Sequence, residues 1–248
     1  MSETAPDFLS GKSIPSPERL IVALDVPDTG RARELVRELG DSVCFYKIGL
    51  ELFMAGGYFE LAQWLRNQGK KIFVDLKFFD VPETVAKAVR QLRHIGASFA
   101  TIHGNDAMLQ AGAREKHDVG ILAVTALTSL DQGDMEDLGF QADIREVVLS
   151  RARRALETGC DGVISSGLEA ADLRSELGER FLVVTPGIRP GHNDSADDQK
   201  RAVNVEEAFR RGADYIVVGR PVTAAADPRS EADRIQGIIQ DLFPDQHD

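Results

Sequence analysis

Cysteines, aromatic residues and long apolar runs are all scarce in this chain of 248 residues. Cys44 and Cys160 are the only cysteines. Two are too few for the disulfide framework of a small secreted protein, so both are predicted to be reduced, buried thiols. No apolar stretch approaches the roughly 18 residues that a membrane-spanning helix needs, and the N-terminus lacks the basic and apolar regions of a secretory signal. We therefore expect a cytoplasmic protein.

Basic residues are also fewer than acidic residues. The chain has 29 Lys and Arg against 40 Asp and Glu, which gives a net charge of −11 at pH 7. A surface of this charge repels nucleic acids and anionic membranes, so neither is an expected partner. An anionic ligand therefore has to be small and has to meet a local cationic pocket.

Eight short apolar runs recur along the chain, most of them separated by segments of helical periodicity. The runs are LIVALDV (20–26), CFYKIGL (44–50), KIFVDLKF (71–78), FATIHG (99–104), GILAVTAL (120–127), GVISSG (162–167), FLVVTPGI (181–188) and YIVVGRPV (215–222). The clearest helical segments are 29–39, 82–96, 143–159, 205–212 and 231–243. Nearly continuous apolar runs are typical of parallel strands that are buried on both faces.

This alternation predicts an α/β fold, a single-domain (β/α)₈ TIM barrel over 19–248, preceded by a flexible polar tail over 1–18. A doubly wound open sheet is the alternative, but no G-x-G-x-x-G motif follows the first run. Two connections, 128–142 and 189–203, are unusually long for a compact barrel. The second is polar and follows the seventh run on the face where barrel active sites lie, so we interpret it as a lid.

The segment VDLKFFDVPET (74–84) combines a buried strand with charged residues. Residues two apart in a strand share a face, so Asp75 and Lys77 are predicted to point into the barrel near its C-terminal mouth. Asp80 follows the strand end, and Lys47 and Asp25 lie near the ends of the two preceding strands. A structural ion-pair network is the alternative, but desolvation commonly cancels its Coulomb gain, and charges gathered on the catalytic face favour a functional site.

Two carboxylates beside two ammonium groups admit metal binding, Schiff-base formation or proton transfer. An opposite charge at ~4 Å stabilises an ammonium by about 4 kcal/mol at an effective dielectric near 20. A lysine held between carboxylates is therefore a poor nucleophile and a good general acid. This favours stabilising and protonating a carbanion over forming a Schiff base.

The last two runs end in TPGIRP (185–190) and VVGRP (217–221). Loops after strands 7 and 8 bind phosphate in many barrels, and Gly187 and Gly219 permit close backbone approach. Arg220 supplies a planar cation, and Arg189 and Gln199, at either end of the proposed lid, could close over the same group. Ordinary loop chemistry with a solvated arginine is the alternative for either motif alone.

These motifs, in this order, resemble the orotidine 5′-phosphate decarboxylases of the compact bacterial type, from about Leu20 to Asp227. The resemblance implies conversion of orotidine 5′-monophosphate to UMP and CO₂ in pyrimidine synthesis, without a cofactor or metal. It implies a homodimer in which Asp80 enters the neighbouring subunit's site. The implied catalytic residues are Lys77, which protonates C6, with Asp75, Asp80 and Lys47.

The resemblance also implies substrate contacts. Asp25 and Lys47 hold ribose hydroxyls, Asp75 lies beside the substrate carboxylate, and Thr128 contacts the pyrimidine. The remaining implied substrate-binding residues, several of them for the phosphate, are Asp80, Thr84, Arg189, Gln199, Gly219 and Arg220.

Two other functions stay open from the sequence. One is a Mg²⁺-dependent keto-sugar-phosphate decarboxylase or aldolase on the same barrel, and the other is a catalytically silent phosphate-binding barrel. Lys47, an ammonium where the metal enzymes have a carboxylate ligand, disfavours the first. His103, at the end of the fourth run, is interpreted as a barrel-lining residue. Trp64 and Phe59 are placed in an amphipathic helix and are predicted to belong to the core of the protein.

Overall fold

The strands of the computed structural model, which describes residues 7–189 and 203–244, pair in sequence order and close into a barrel. They are β1 Leu20–Ala23, β2 Phe45–Gly49, β3 Lys71–Phe78, β4 Phe99–Ile102, β5 Gly120–Val124, β6 Gly162–Ile164, β7 Leu182–Thr185 and β8 Tyr215–Val218. Each neighbouring pair is parallel, and β1 pairs with β8 to complete the ring. The predicted (β/α)₈ barrel is confirmed.

Helices surround the barrel. They are α1 Thr29–Leu39, α2 Leu50–Ala55, α3 Tyr58–Asn67, α4 Pro82–Ile95, α5 Asp106–Arg114, α6 Gln132–Asp137, α7 Ile144–Glu157, α8 Ala170–Leu177, α9 Val205–Arg210, α10 Arg220–Thr223 and α11 Pro228–Leu242. Their ends carry recognisable signals: the Asp28 side chain caps α1 by accepting a hydrogen bond from Arg31 N, and α4 ends at Gly96 in the left-handed conformation. Across 7–189 and 203–244, no helix is both long and apolar enough to cross a bilayer.

Apolar side chains form two layers, which is the arrangement expected of a barrel wrapped in helices. The inner layer fills the barrel and contains Ile21, Ala23, Phe45, Phe73, Phe99, Leu122, Val124, Ile164, Val184, Tyr215 and Val217. The outer layer lies between strands and helices and includes Val74, with Leu76 and Phe78 packed against it. This division sets the direction of β3: Val74 faces the helices, and Asp75 faces the barrel interior.

Most strands are shorter at their C-terminal ends than the apolar runs suggested. The last run is the clearest case, because β8 stops at Val218 and the next residues form α10 after Gly219. The apolar run 215–222 therefore extends beyond the strand. Val222 stays fully buried although it is not in a strand, so an apolar run records burial and not strand pairing.

The connection 128–142 contains a helix, α6, that is too short to give a visible period. Asp131 and Asp134 form a reciprocal capping box at its N-terminus, each side chain accepting a hydrogen bond from the other residue's backbone N–H. The other long connection, 189–203, lies almost wholly outside the described residues, so the proposed lid stays a prediction.

The segment 7–18, part of the predicted tail, lies against the N-terminal end of the barrel. Phe8 N donates a hydrogen bond to Arg210 O at 2.9 Å, and Lys12 Nζ lies 3.0 Å from Oδ1 of the fully buried Asp214. These contacts give the segment a place in the fold, and the tail boundary and its flexibility stay predictions.

Candidate active site

The C-terminal mouth of the barrel opens into a cavity of about 320 Å³, within the size range of small-ligand sites. Several predicted site residues share this cavity. Its lining includes Asp25, Lys47, Asp75, Lys77, Thr128, Arg189, Gly219 and Arg220.

Four charged groups form a continuous chain along one wall of the cavity. Lys47 Nζ lies 3.0 Å from Asp25 Oδ1 and 3.3 Å from Asp75 Oδ2. Lys77 Nζ lies 3.0 Å from Oδ1 and 2.9 Å from Oδ2 of Asp75. The order of charges is therefore Asp25, Lys47, Asp75, Lys77, with signs that alternate at hydrogen-bond distance.

Burial and charge act against each other in this chain. Burial by itself would raise the pKa of Asp75, but the ammonium groups of Lys47 and Lys77 outweigh it, so the pKa of this carboxyl lies below its usual value. Burial would likewise lower the pKa of Lys47, but Asp75 and Asp25 raise it above the ordinary lysine value. Both groups are therefore charged at neutral pH.

The backbone of β3 departs from regular strand geometry at Lys77. This residue has φ of 47°, in the left-handed region that side chains rarely adopt. The pairing of β3 with β4 is irregular there, since Val74 pairs with Ala100 and Phe78 with Ile102. Three residues of β3 thus lie opposite the single residue Thr101, which is a bulge, and the bulge redirects the Lys77 side chain at the rim.

Thr101 is a polar neighbour that the sequence analysis did not select. It is fully buried. Its Oγ1 donates a hydrogen bond to Asp75 Oδ1 at 2.9 Å and accepts one from Lys77 N, also at 2.9 Å. The available signal was a hydroxyl at an inward position of the otherwise apolar run FATI.

Aromatic rings close the barrel below the charged chain. Phe99 contacts Phe45, Phe73 and Tyr215, with ring centroids 5.1–6.2 Å apart. Close-packed rings hold little water. The charged groups therefore lie next to an apolar layer of aromatic side chains.

The same cavity is also lined by the predicted phosphate residues Arg189, Gly219 and Arg220. Gly219 precedes α10, and Arg220 is its first residue. Gly187 has φ of 77°, which suits glycine, and Arg189 N donates to Val203 O at 2.9 Å. This contact joins the two ends of the connection 189–203, and residues that follow β7 and β8 line the same cavity.

Of the predicted site residues, two lie outside this cavity and a third is not among the described residues. Asp80 and Thr84 are exposed and do not line the cavity of their own chain. Asp80 Oδ1 accepts a hydrogen bond from Val81 N at 2.6 Å. Gln199 lies outside the described residues.

His103 does not line this cavity. It borders a second, more apolar cavity of about 660 Å³, with its ring 5.8 Å from that of Phe79. Burial and the nearby charges of Arg151 and Lys77 lower its pKa. The position of His103 therefore does not support a direct role for this residue in proton transfer by Lys77.

As for metals, the described ranges hold no group of three or more His, Cys, Asp or Glu side chains placed to bind an ion. Of the described residues that line the cavity, Asp25 and Asp75 carry carboxylates, and the Lys47 ammonium lies between them. The donor set present is thus that of an ion-pair chain.

Comparisons with known proteins agree with one another. The model of the family described as "Orotidine 5′-phosphate decarboxylase / HUMPS family" matches residues 18–235. An orotidine 5′-phosphate decarboxylase from Methylococcus capsulatus is 63% identical over 238 residues, which cover 96% of this chain and 98% of the relative. One from Stenotrophomonas maltophilia is 50% identical over 90% of this chain and 92% of the relative. The crystal structure of orotidine 5′-phosphate decarboxylase from Lactobacillus acidophilus superposes with a TM-score of 0.80 at 34% identity, over 90% of this chain and 99% of that one.

Proposed function

The chain belongs to the orotidine 5′-phosphate decarboxylase / HUMPS family, and we propose that it converts orotidine 5′-monophosphate to UMP and CO₂. The resemblance seen in the sequence motifs is thereby confirmed. The observation that carries the proposed mechanism is the position of Lys77, whose ammonium faces both oxygens of Asp75 inside a cavity that Arg189 and Arg220 also line.

The reaction breaks the bond between C6 of the pyrimidine and its carboxylate. CO₂ leaves, the electron pair stays on C6, and Lys77 transfers one proton to that carbon. The amine of Lys77 then regains a proton from solvent. Because the carbanion at C6 has no adjacent electron sink, its charge is localised and needs a fixed cation close by. A single preorganised donor of this kind contributes ~3–4 kcal/mol in comparable sites.

Asp75 has two parts in this scheme. It holds the Lys77 ammonium in place before the reaction, and it lies beside the substrate carboxylate. Lys47 keeps Asp75 charged from its other side, at 3.3 Å. An ion-pair chain that is organised before substrate arrives does not need to reorganise as charge develops on C6.

The other cavity residues recognise the nucleotide. We assign the ribose hydroxyls to Asp25 and Lys47, and the pyrimidine to Thr128. The phosphate is assigned to Arg220, Arg189 and the backbone at Gly219, with Gln199 as a further contact from the proposed lid. The phosphate lies away from C6, so its binding energy can drive closure of the site and organise the charged chain.

We further propose a homodimer in which Asp80 and Thr84 enter the partner's site. Both are exposed in the single chain, and Asp80 is flanked by two apolar residues, Phe79 at 66% exposure and Val81 at 62%. Exposed apolar side chains beside a charged one are typical of a protein interface. Phe59, predicted to be core, is also 60% exposed, so that prediction is wrong and this ring is available for further contacts.

A Mg²⁺-dependent sugar-phosphate enzyme is the remaining alternative within the family's barrel. Hard cations require several oxygen ligands. In this cavity the Lys47 ammonium lies between the two carboxylates, where a metal ion would be repelled. This contact favours the metal-free reaction.

The test is an absorbance assay of orotidine 5′-monophosphate loss before and after EDTA treatment. We expect turnover that EDTA does not reduce, whereas inactivation by EDTA and rescue by Mg²⁺ would support the alternative. Lys77→Ala should lower kcat by at least about 100-fold while binding UMP. Lys71→Ala, at the other end of β3, is the matched control and should retain activity. An inert wild-type protein that still binds UMP would indicate a silent barrel.

A further inference from the structure

Thr101 connects the two residues of β3 on which the proposed mechanism depends. Its hydroxyl donates to the Asp75 carboxylate and accepts from the Lys77 backbone N–H. A threonine hydroxyl has one proton. Since that proton points to Asp75, the lone pair is free for Lys77, so one oxygen satisfies both residues at once.

The bulge in β3 explains why such a link is needed. In a regular parallel ladder each strand N–H meets a carbonyl of its neighbour. Between Val74 and Phe78 that ladder is interrupted, and the Lys77 N–H is bonded to the Thr101 side chain. Lys77 is also held at a φ of 47°, a conformation that costs free energy and persists only where the surroundings enforce it.

From this contact pattern we infer that Thr101 is a positioning residue for the reaction, an inference that rests on the proposed function. It fixes the backbone from which the Lys77 ammonium is aimed at C6, and it fixes the rotation of the Asp75 carboxylate that receives this ammonium. It does not itself line the cavity. Its effect on turnover therefore passes through Asp75 and Lys77.

Two observations support a role for Thr101 beyond packing: the residue is buried, and it shares an oxygen of Asp75 with Lys77. Thr101 is 0% exposed. Asp75 Oδ1 is shared between Thr101 and Lys77, both at 2.9–3.0 Å. Without the hydroxyl the carboxylate can rotate toward Lys47, and the Lys77 N–H loses its partner in a buried place.

The experiment compares Thr101→Val, which keeps the shape and removes the hydroxyl, with Thr101→Ser, which keeps the hydroxyl. We expect Thr101→Val to lower kcat about 10- to 100-fold with KM changed less than about threefold, by analogy with the loss caused by removing residues that orient metal ligands. Thr101→Ser should stay within about threefold of wild type. Thr125→Val is the matched control, because Thr125 is a buried threonine just after β5 whose hydroxyl donates a hydrogen bond to the backbone oxygen of Ile164.

Hydrogen exchange of the β3 peptide that contains Lys77, followed by mass spectrometry, gives a readout that does not depend on turnover. Exchange should be faster in Thr101→Val and unchanged in Thr101→Ser and Thr125→Val. If Thr101→Val does not fold, Thr101→Ala replaces it, since alanine removes the hydroxyl without placing a methyl group against Asp75.

Several outcomes would overturn the assignment: wild-type kcat in Thr101→Val, an equal loss in Thr101→Ser, or an equal loss in Thr125→Val. A wild-type protein with no turnover would contradict the proposed function instead. In that case the exchange comparison still decides whether Thr101 holds the backbone of Lys77.

Discussion

Lys77 reaches both oxygens of the Asp75 carboxylate with one ammonium group, at 3.0 and 2.9 Å, although the two residues are only two apart in the chain. A regular strand would place these side chains side by side. The left-handed φ of Lys77 turns the backbone at the rim, so that the amine folds back over the carboxylate. The proton donor of the proposed reaction is thus fixed by its own strand.

The pH dependence of stability should report this ion-pair chain. Asp75→Asn leaves two ammonium groups without their shared carboxylate, so we expect the free energy of unfolding to fall by about 2–4 kcal/mol at pH 7. Because the pKa of Asp75 is lower in the folded chain than in the unfolded one, its contribution is present above about pH 4 and is lost as pH falls through the folded value. Urea unfolding at several pH values from 3 to 8 measures the difference.

Lys47 sets the upper limit of the pH range in which the ion-pair chain stabilises the folded protein. The pKa of Lys47 is raised in the folded chain, so its contribution is present below about pH 10 and is lost as pH rises through the folded value. The difference between wild type and Asp75→Asn should therefore be level from about pH 5 to 8. Asp172→Asn, which removes a partly exposed partner of Arg145, is the control and should change little at any pH. Equal stabilities of wild type and Asp75→Asn at pH 7 would contradict the prediction.

Arg220 should matter for the phosphate alone. Arg220→Ala is expected to raise KM for orotidine 5′-monophosphate by about 30- to 100-fold, the loss typical of a charge-assisted hydrogen-bond pair. With orotidine, which lacks the phosphate, wild type and variant should react at similar rates. Arg234→Ala, an exposed arginine of α11 paired with Glu231, serves as control. An equal loss on both substrates would mean that Arg220 supports the fold of the site and not phosphate binding.

Sequence reasoning located most of the site because two simple regularities apply. Alternation along a strand put Asp75 on the inner face with Phe73, and parallel strands bring their C-terminal ends to one rim, which gathered Asp25 and Lys47 beside it. Neither regularity predicts the register, that is, which residues of two neighbouring strands lie opposite each other. The run FATI shows an inward hydroxyl at Thr101, but its contacts with Asp75 and Lys77 became apparent only once β4 was placed against the bulge. Nothing in the sequence DLKFF predicts the positive φ of Lys77.

Helical periodicity failed at Phe59 for a related reason. A period shows which residues share a face, but it does not show whether that face meets the barrel or stays exposed. The same limit applies to Asp80. Its place after β3 suggested the cavity, yet the structure puts it outside the cavity of its own chain, because a position just after a strand end does not show whether the side chain turns into the barrel mouth or away from it.

Subunit mixing should decide where Asp80 acts. Lys77→Ala and Asp80→Ala are each expected to be nearly inactive alone. If Asp80 serves the partner's site, dissociating and reassociating an equal mixture produces mixed dimers with one complete site, and about a quarter of wild-type activity should return. A mixture that stays inactive although differently tagged Lys77→Ala and Asp80→Ala subunits co-purify as mixed dimers would place Asp80 in the site of its own chain. Asp137→Ala, an exposed acidic residue of α6, mixed with Lys77→Ala provides the reference for full complementation by one wild-type-like subunit.

The far end of the barrel should control stability without touching catalysis. Asp214 is fully buried, and its Oδ2 lies 2.7 Å from Arg174 Nη2 while accepting from Val183 N. Asp214→Ala leaves the Arg174 charge buried without its partner, so we expect a loss of about 3–5 kcal/mol in the free energy of unfolding. Glu206→Ala, which removes an exposed partner of Arg210, should cost well under about 1 kcal/mol.

Because Asp214 lies at the opposite end of the strands from Lys77, kcat of the folded Asp214→Ala protein at low temperature should equal that of wild type. A variant as stable as wild type would show that hydrogen bonds to water or to neighbouring backbone replace this carboxylate, and a lowered kcat would show that the two ends of the barrel are coupled.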